Sequence, residues 1–247
     1  MIPKVIHYCW FGGNPLPANT KKYIESWKKY CPDYEIKEWN ESNFDVFSHP
    51  FMKAAYEAKA WAFVSDYARL KIIYDNGGVY LDTDVELLKN IDFLLENNFF
   101  IGTTQVGQFC TTGLGFGAEK HNTTVERMMD EYNHLVFDNE KKRSFACPAL
   151  NDRVLVEIGH EIKDEIEILN GCICILPARY MDPISPGDSK NLLCSDTVSI
   201  HHYSASWESK VQVLKRRVCI LIGQKNINKL KNVFKRIKGS MQSSVGS

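Results

Sequence analysis

The chain has 247 residues, of which 44% are hydrophobic and 24% are charged, a composition typical of a globular protein. Basic and acidic residues balance at 30 each, so the overall charge does not indicate a nucleic-acid-binding protein, and we expect no nucleic-acid partner. The basic residues are nevertheless concentrated near the C-terminus, where the segment 209–247 carries no acidic residue.

The eight cysteines are not arranged like a disulfide framework or a zinc ribbon. Met1 to Lys4 runs directly into an apolar segment, so we expect no signal peptide and interpret the cysteines as reduced core residues of a cytoplasmic protein. Because no window of about 18 uncharged apolar residues occurs, we expect no transmembrane helix.

Apolar periodicity and Gly or Pro breaks predict alternating strands and helices. In chain order they are a strand over 4–10, a helix over 20–30, a strand over 34–39, one or two helices over 51–74, a strand over 79–81, strands over 99–103 and 114–117, a helix over 122–135, and strands over 172–176 and 198–202. This alternation predicts an α/β sheet with crossover helices. Ligands of such sheets bind at the carboxyl ends of the strands.

Two carboxylates follow the predicted strand 79–81. Asp82 and Asp84 are separated by one residue, so on an extended chain both side chains would lie on one face. Converging carboxylates beside a buried strand are costly unless a cation or a proton satisfies them. The alternatives are a solvated turn, which bare matches of this pattern usually are, and a Mg²⁺ or Mn²⁺ site with positions open to phosphates.

Other candidate residues have both a structural and a functional interpretation. Asp66 and Arg69 share a helix face, as a structural ion pair or as contacts to a sugar and a phosphate. Trp10, followed by Gly12 and Gly13, is either a core residue or a stacking platform for a base.

The segment from His201 to Trp207 is the last dense cluster of polar and aromatic residues. An imidazole can complete a metal site that carboxylates leave open. His201 and His202 would point to opposite sides of a strand, so at most one is a ligand. The alternative is that each is an ordinary core or surface histidine.

Together these residues resemble glycosyltransferase family 32, the enzymes with a sugar-binding region containing a DXD motif, and more distantly the glucosylating domain of large clostridial toxins. The resemblance covers roughly residues 2 to 210. Its motifs are Ile2-Pro3-Lys4-Val5-Ile6-His7, Trp10-Phe11-Gly12, Ser26-Trp27, Pro32-Asp33-Tyr34, Trp39, the core from Ser65-Asp66-Tyr67-Ala68-Arg69 to Asp84, and the closing segment 201–207.

The resemblance implies a GT-A fold, which is a Rossmann-like α/β fold with a mixed central sheet flanked by helices. It also implies a nucleotide-sugar donor, with a UDP-hexose favoured, a Mn²⁺ or Mg²⁺ ion and retention of anomeric configuration. The implied catalytic residues are Asp66, Arg69, Asp82 and Asp84; the implied nucleotide contacts are Cys9, Trp10, Tyr80, Asp82, Ser206 and Trp207; the implied metal ligands are Asp82, Asp84 and His201 or His202.

We expect a catalytic domain over 1–210 and a basic amphipathic helix over 211–247. Apolar residues recur at near-helical spacing between the basic ones, so this tail is either a helix on an anionic membrane surface or a solvated terminal helix.

The function expected is hexose transfer to a glycan or a lipid-linked oligosaccharide in capsular or surface polysaccharide synthesis, at the inner face of the cell membrane. The alternatives are an effector that glycosylates a protein and a non-catalytic carbohydrate-binding protein of the same fold.

Overall fold

The fold is described from a computed structural model, which covers residues 1–138, 147–186 and 189–204. These residues form almost all of one compact unit, Met1–Ser185 with Asn191–Ser204. A second unit, Pro186–Lys190 with Ala205–Ser247, lies almost wholly outside the described residues, as does the predicted basic helix over 211–247.

Strands and helices alternate through the first unit. The strands are β1 Val5–Cys9, β2 Glu35–Trp39, β3 Gly78–Tyr80, β4 Val85–Leu87, β5 Phe99–Thr103, β6 Cys110–Ala118, β7 Glu167–Leu169, β8 Ile173–Leu176 and β9 Ser199–His201. The helices are α1 Ala18–Tyr30, α2 Pro50–Glu57, α3 Trp61–Asn76, α4 Thr123–Asp130, α5 Cys147–Ile158 and α6 Ala178–Met181.

The main sheet has the strand order β2-β1-β3-β6-β5-β8-β7 and is mixed. The pairs β1–β2, β1–β3 and β5–β8 are parallel, whereas β3–β6, β5–β6 and β7–β8 are antiparallel. β4 and β9 form a separate antiparallel pair. This mixed α/β architecture confirms the predicted fold class.

Side chains alternate along the strands between two apolar cores, one on each face of the sheet. In β3 and the residue after it, Tyr80 enters the core beneath α2, α3, α4 and α5, whereas Val79 and Leu81 enter the core beneath α1 and α6. Because strands buried on both faces are almost wholly apolar, a charged group on either face needs a specific partner.

Helix α1 fixes β4 through two side chains of the motif Ser26-Trp27. The Trp27 indole is fully buried and donates to the Val85 carbonyl at 2.8 Å, and the Leu87 amide donates to the Ser26 hydroxyl at 3.0 Å. The family resemblance at Ser26-Trp27 therefore has a structural basis, because these two side chains position β4, the strand that follows the two aspartates.

Close backbone packing explains Gly77-Gly78, where the chain leaves α3 for β3. Both residues have positive φ, at 70° and 106°. A β-carbon on Gly78 would lie 2.8 Å from the His7 ring and from the Val5 carbonyl. Only a glycine allows β3 to approach β1 this closely with that backbone conformation.

Most predicted elements are present, with bounds shifted by a few residues. The predicted helix 122–135 is wrong at its C-terminal end, since α4 stops at Asp130 and turns follow. The segment 51–74 forms two helices rather than one.

None of the seven described cysteines is in a disulfide. Among the described residues, no helix combines the length and the apolarity that membrane crossing requires.

His7 predicts a pH dependence of stability. It is buried in β1, where its Nε2 faces the Gly77 carbonyl at 3.0 Å and its Nδ1 accepts from the Trp39 indole at 2.9 Å. Burial lowers the pKa of His7 from 6.5 to about 4. Between these values the unfolded chain binds a proton that the native state does not. Lowering the pH from 7 to 5 should therefore reduce the free energy of unfolding by on the order of 2 kcal/mol through His7.

The measurement is urea unfolding at both pH values for the wild type, for His7→Gln and for the exposed-site control His134→Gln. We expect His7→Gln to lose less stability on acidification than the wild type and the control do. Equal losses in all three proteins would contradict the assignment of this pH dependence to His7.

Candidate active site

The candidate site lies where β1 and β3 end beside each other. The strands are parallel, with His7 opposite Tyr80, and the Leu81 amide donates to the His7 carbonyl at 3.1 Å. Trp10, which follows β1, and Asp82, two residues after β3, therefore lie at the same edge of the sheet.

The two aspartates do not lie on an extended strand. After Leu81 the chain turns, and the Val85 amide closes the turn on the Asp82 carbonyl at 3.0 Å. The prediction that strand alternation aligns Asp82 and Asp84 is wrong. Their side chains are brought together by this turn.

Asp84 is held by the strand β9. One of its carboxylate oxygens lies 3.0 Å from His201 Nε2, and the other accepts the Ser204 amide at 2.7 Å. Burial opposes the ionisation of Asp84, but His201 and these hydrogen bonds outweigh burial and lower its pKa. The Asp84 carboxylate is therefore charged at neutral pH and held in one orientation.

The pairing of β4 with β9 separates the two histidines. His201 lies opposite Val85 and faces the aspartates, whereas His202 Nε2 contacts Glu86 at 2.8 Å and its ring stacks on Tyr23 at 4.5 Å. Of the two predicted metal ligands, the structure thus brings His201 to the aspartates and directs His202 away from them.

Asp82, Asp84 and His201 have a geometry that fits a divalent cation. One possible ligand atom from each lies within 4.8 Å of the other two. Two carboxylates and one imidazole suit Mn²⁺ or Mg²⁺, which leave coordination positions for phosphate oxygens. The Nδ1 atom of His201 is buried and has no hydrogen-bond partner among the described residues.

Arg69 joins α3 to this edge. Its guanidinium lies 3.0 Å from Asp66 Oδ1 and 3.2 Å from Asp82 Oδ1, and its Nε donates to the Ser65 carbonyl at 3.0 Å. It also lies over the Tyr80 ring, 5.0 Å from the centroid. The predicted pair Asp66–Arg69 exists and extends to the first aspartate of the motif.

Burial changes the acidity of the carboxylates around Arg69. It raises the pKa of Asp66 to about 6, against the opposing effect of Arg69, and it also raises the pKa of Asp82. Tyr80 donates its hydroxyl to Asp82 Oδ1 at 3.1 Å. Asp82 and Asp84 thus differ in environment, because Asp82 is shared with Arg69 and Asp84 is paired with His201.

The residues at the end of β1 have different degrees of exposure. Trp10 is half-buried and its indole donates to the Asn14 carbonyl at 2.5 Å. Cys9 is buried, its thiol hydrogen-bonds Tyr80, and burial raises its pKa to about 12. Cys9 therefore belongs to the core beneath the site, whereas Trp10 lies at its rim.

Two glycines near the site have structural roles that the sequence alone did not give. A β-carbon on Gly12 would lie 2.7 Å from the Trp61 indole. A β-carbon on Gly113 of β6 would lie 3.0 Å from Asp82 Oδ2 and 3.4 Å from the Arg69 guanidinium. In the sequence, alternating glycines in the segment of β6 mark Gly113 as a position of close packing, but its contact with Asp82 depends on the β3–β6 pairing.

The predicted nucleotide contacts Ser206 and Trp207 lie outside the described residues.

Comparison with known proteins agrees with this geometry. Residues 17–101, which include both aspartates, match the family model described as glycosyltransferase sugar-binding region containing DXD motif. The chain is 25% identical over 229 residues to an uncharacterized glycosyltransferase of Acanthamoeba polyphaga mimivirus, and the alignment covers 87% of each protein.

A second relative and a solved structure are more limited matches. The chain is 29% identical over 126 residues to inositol phosphoceramide mannosyltransferase 3 of Schizosaccharomyces pombe. This alignment covers 47% of this chain but only 33% of the yeast protein. The structure titled PaToxG glycosyltransferase aligns with a TM-score of 0.50 at 18% identity, over 63% of this chain and 69% of its own, which supports the fold. The chain is therefore a glycosyltransferase of GT-A fold that carries the sugar-binding region with the DXD motif.

Proposed function

We propose that this glycosyltransferase moves a hexose from a nucleoside-diphosphate sugar, with a UDP-hexose favoured, to a hydroxyl of a glycan or a lipid-linked oligosaccharide, with retention of configuration. The observation that carries the proposal is the convergence of Asp82, Asp84 and His201 at the edge where Trp10 and Arg69 also lie. A base, a diphosphate and a sugar each find a suitable chemical partner along this edge.

Asp82, Asp84 and His201 would hold the Mn²⁺ or Mg²⁺ ion. When bound, the ion would supply positive charge that stabilises the diphosphate leaving group. Asp84 is the ligand that the geometry favours most, because the Ser204 amide and His201 fix its carboxylate. Both described hydrogen-bonding contacts to the Asp82 side chain reach Oδ1, so Oδ2 is the oxygen that we assign to ribose, sugar or metal-bound water.

The protein's own charges orient the donor sugar. Arg69 keeps its positive charge because Asp82, Tyr80 and Asp66 outweigh the effect of burial. Asp66 is positioned by Arg69 to accept a hydrogen bond from a sugar hydroxyl. A fixed charge in a buried site needs no reorganisation during the reaction, so it stabilises a charged transition state effectively.

For the acceptor, we propose a membrane-associated glycan of surface or capsular polysaccharide synthesis, used by a cytoplasmic enzyme at the inner face of the membrane. The name of the S. pombe relative, an inositol phosphoceramide mannosyltransferase, supports a lipid-borne acceptor. The basic and apolar pattern of the segment 211–247 supports contact with an anionic membrane surface.

A screen of nucleotide sugars by thermal shift, with and without Mn²⁺, tests the donor. We expect one UDP-hexose to raise the melting temperature only when Mn²⁺ is present, and to be hydrolysed slowly without acceptor. If no nucleotide sugar binds under either condition, the proposed donor class is wrong.

The paired histidines provide a matched test of the metal ligands. His201→Gln and Asp84→Asn should each reduce donor turnover by about 10²- to 10³-fold, the effect of losing a main electrostatic contact to a transition state. His202→Gln and Glu86→Gln should retain turnover near that of the wild type, because these side chains contact each other. Similar losses in both sets, measured by release of the nucleoside diphosphate, would refute the assignment.

Gly113→Ala tests the close approach of β6 to Asp82. The added methyl group should displace the partly exposed Asp82 carboxylate and reduce turnover at least about tenfold, because small misplacements of catalytic groups are costly. The free energy of unfolding of this variant should stay close to that of the wild type. The control is Gly102→Ala on β5, whose added methyl would instead meet Met181 Cβ and Sδ, both at 3.1 Å. Equal activity of the two variants would contradict the role of Gly113.

Deletion of 211–247 tests the membrane proposal. The full chain should float with vesicles of anionic lipid and should be released by high salt, whereas the truncated chain should remain unbound. Vesicles of neutral lipid are the control. Unchanged flotation of the truncated chain would contradict a membrane role for this segment.

A further inference from the structure

A second group of possible metal ligands lies away from the DXD site, between β6, α5 and β7. Cys110 begins β6, Asp152 lies on α5 and His160 follows the end of α5. A thiol sulfur, a carboxylate oxygen and a ring nitrogen from these three residues lie within 4.8 Å of one another. We propose that Cys110, Asp152 and His160 bind a zinc ion.

The first support is an unpartnered nitrogen. The His160 side chain is only 4% exposed, and its Nδ1 contacts Glu167 Oε2 at 2.6 Å. Its Nε2 is buried and has no hydrogen-bond partner among the described residues. A buried polar atom without a partner is costly, and a bound metal ion would remove this cost.

The second support is the arrangement of carboxylates around His160. A histidine that binds a metal usually donates its other ring N–H to a carboxylate, which fixes the ring and raises its basicity. Glu167 is placed to accept this bond, and Lys163 contacts its other oxygen at 2.9 Å. The pair Glu167–His160 thus has the form of the outer shell of a metal site.

The backbone brings the three ligands together from separate elements. Gly159, with φ of 112°, ends α5, and the His160 amide returns to the Leu155 carbonyl at 2.8 Å. The Cys110 amide donates to Asp152 Oδ1 at 3.0 Å, which holds that carboxylate beside the thiol. The positions of the ligands therefore depend on main-chain contacts rather than on flexible surface side chains.

The donor set favours zinc over the ion of the DXD site. Sulfur, nitrogen and oxygen ligands in a tetrahedral arrangement suit Zn²⁺, with the fourth position filled by water. Ligand atoms around a tetrahedral zinc ion lie about 3.5 Å apart. The three atoms lie within 4.8 Å of one another, so each separation must shorten by about 1.3 Å or less on binding. Zinc binds the thiolate form of cysteine, so binding would release the Cys110 proton to solvent and would strengthen as the pH rises.

Cobalt titration of the metal-free full-length protein distinguishes this site from the DXD site. Co²⁺ bound to a thiolate gives a charge-transfer absorption, and Asp82, Asp84 and His201 offer no sulfur. We expect this absorption to saturate at about one equivalent of Co²⁺ and to disappear when Zn²⁺ is added. Absence of the absorption from the folded wild type would overturn the proposal without any variant.

Variants then assign the ligands. Cys110→Ser and His160→Gln should lose the absorption, while the matched buried cysteine variant Cys31→Ser and the DXD variant Asp84→Asn should keep it. Glu167→Gln should keep the absorption but weaken Co²⁺ binding about 10- to 100-fold. Retention of full absorption by folded Cys110→Ser, or unchanged affinity in Glu167→Gln, would refute the arrangement proposed.

Discussion

The candidate site depends on one buried cation, the guanidinium of Arg69. It lies between Asp66 of its own helix and Asp82 at the end of β3, beneath the apolar shell of α3 and the sheet. A buried charge is tolerated only with close partners of opposite sign, and removal of one member of such a pair typically costs about 3–5 kcal/mol. The helix, the strand end and the first aspartate of the motif are therefore constrained together.

The second aspartate is constrained independently and from the other direction. Asp84 is held by His201 and by the Ser204 amide, and both reach it because β9 pairs with β4. The register of this short pair decides which of two adjacent histidines faces the site. A shift by one residue would exchange His201 for His202 and remove the imidazole from the aspartates.

Local sequence patterns predicted much of the fold and the residues at the strand ends. Two glycines precede the apolar run 79–81, and Phe11 and two glycines follow the run 4–10, so the strand character of both runs followed from the local sequence pattern. The Asp66–Arg69 pair followed from helical spacing. These predictions succeeded because each depends only on residues that are close together in the sequence.

Features that depend on pairing between distant segments could not be predicted in this way. β4 is only three residues long and is stabilised by Trp27, Ser26 and β9, so its own sequence gives little signal. The convergence of Asp82 and Asp84 was expected for the wrong reason, since a turn and not a strand produces it. The contact of Gly113 with Asp82 required the antiparallel register of β6 on β3.

Strand β6 connects the two clusters of ligands and separates their chemistry. Gly113 lies against Asp82, and Cys110 lies three residues earlier on the same strand, about 10 Å away along the chain. Oxygen-rich ligands suit Mg²⁺ or Mn²⁺, whereas a thiolate ligand selects zinc. An ion at Cys110 would hold β6 to α5 and would thereby stabilise the strand against which Asp82 rests. The donor set at Cys110 thus suits a different ion from the donor set at Asp82 and Asp84.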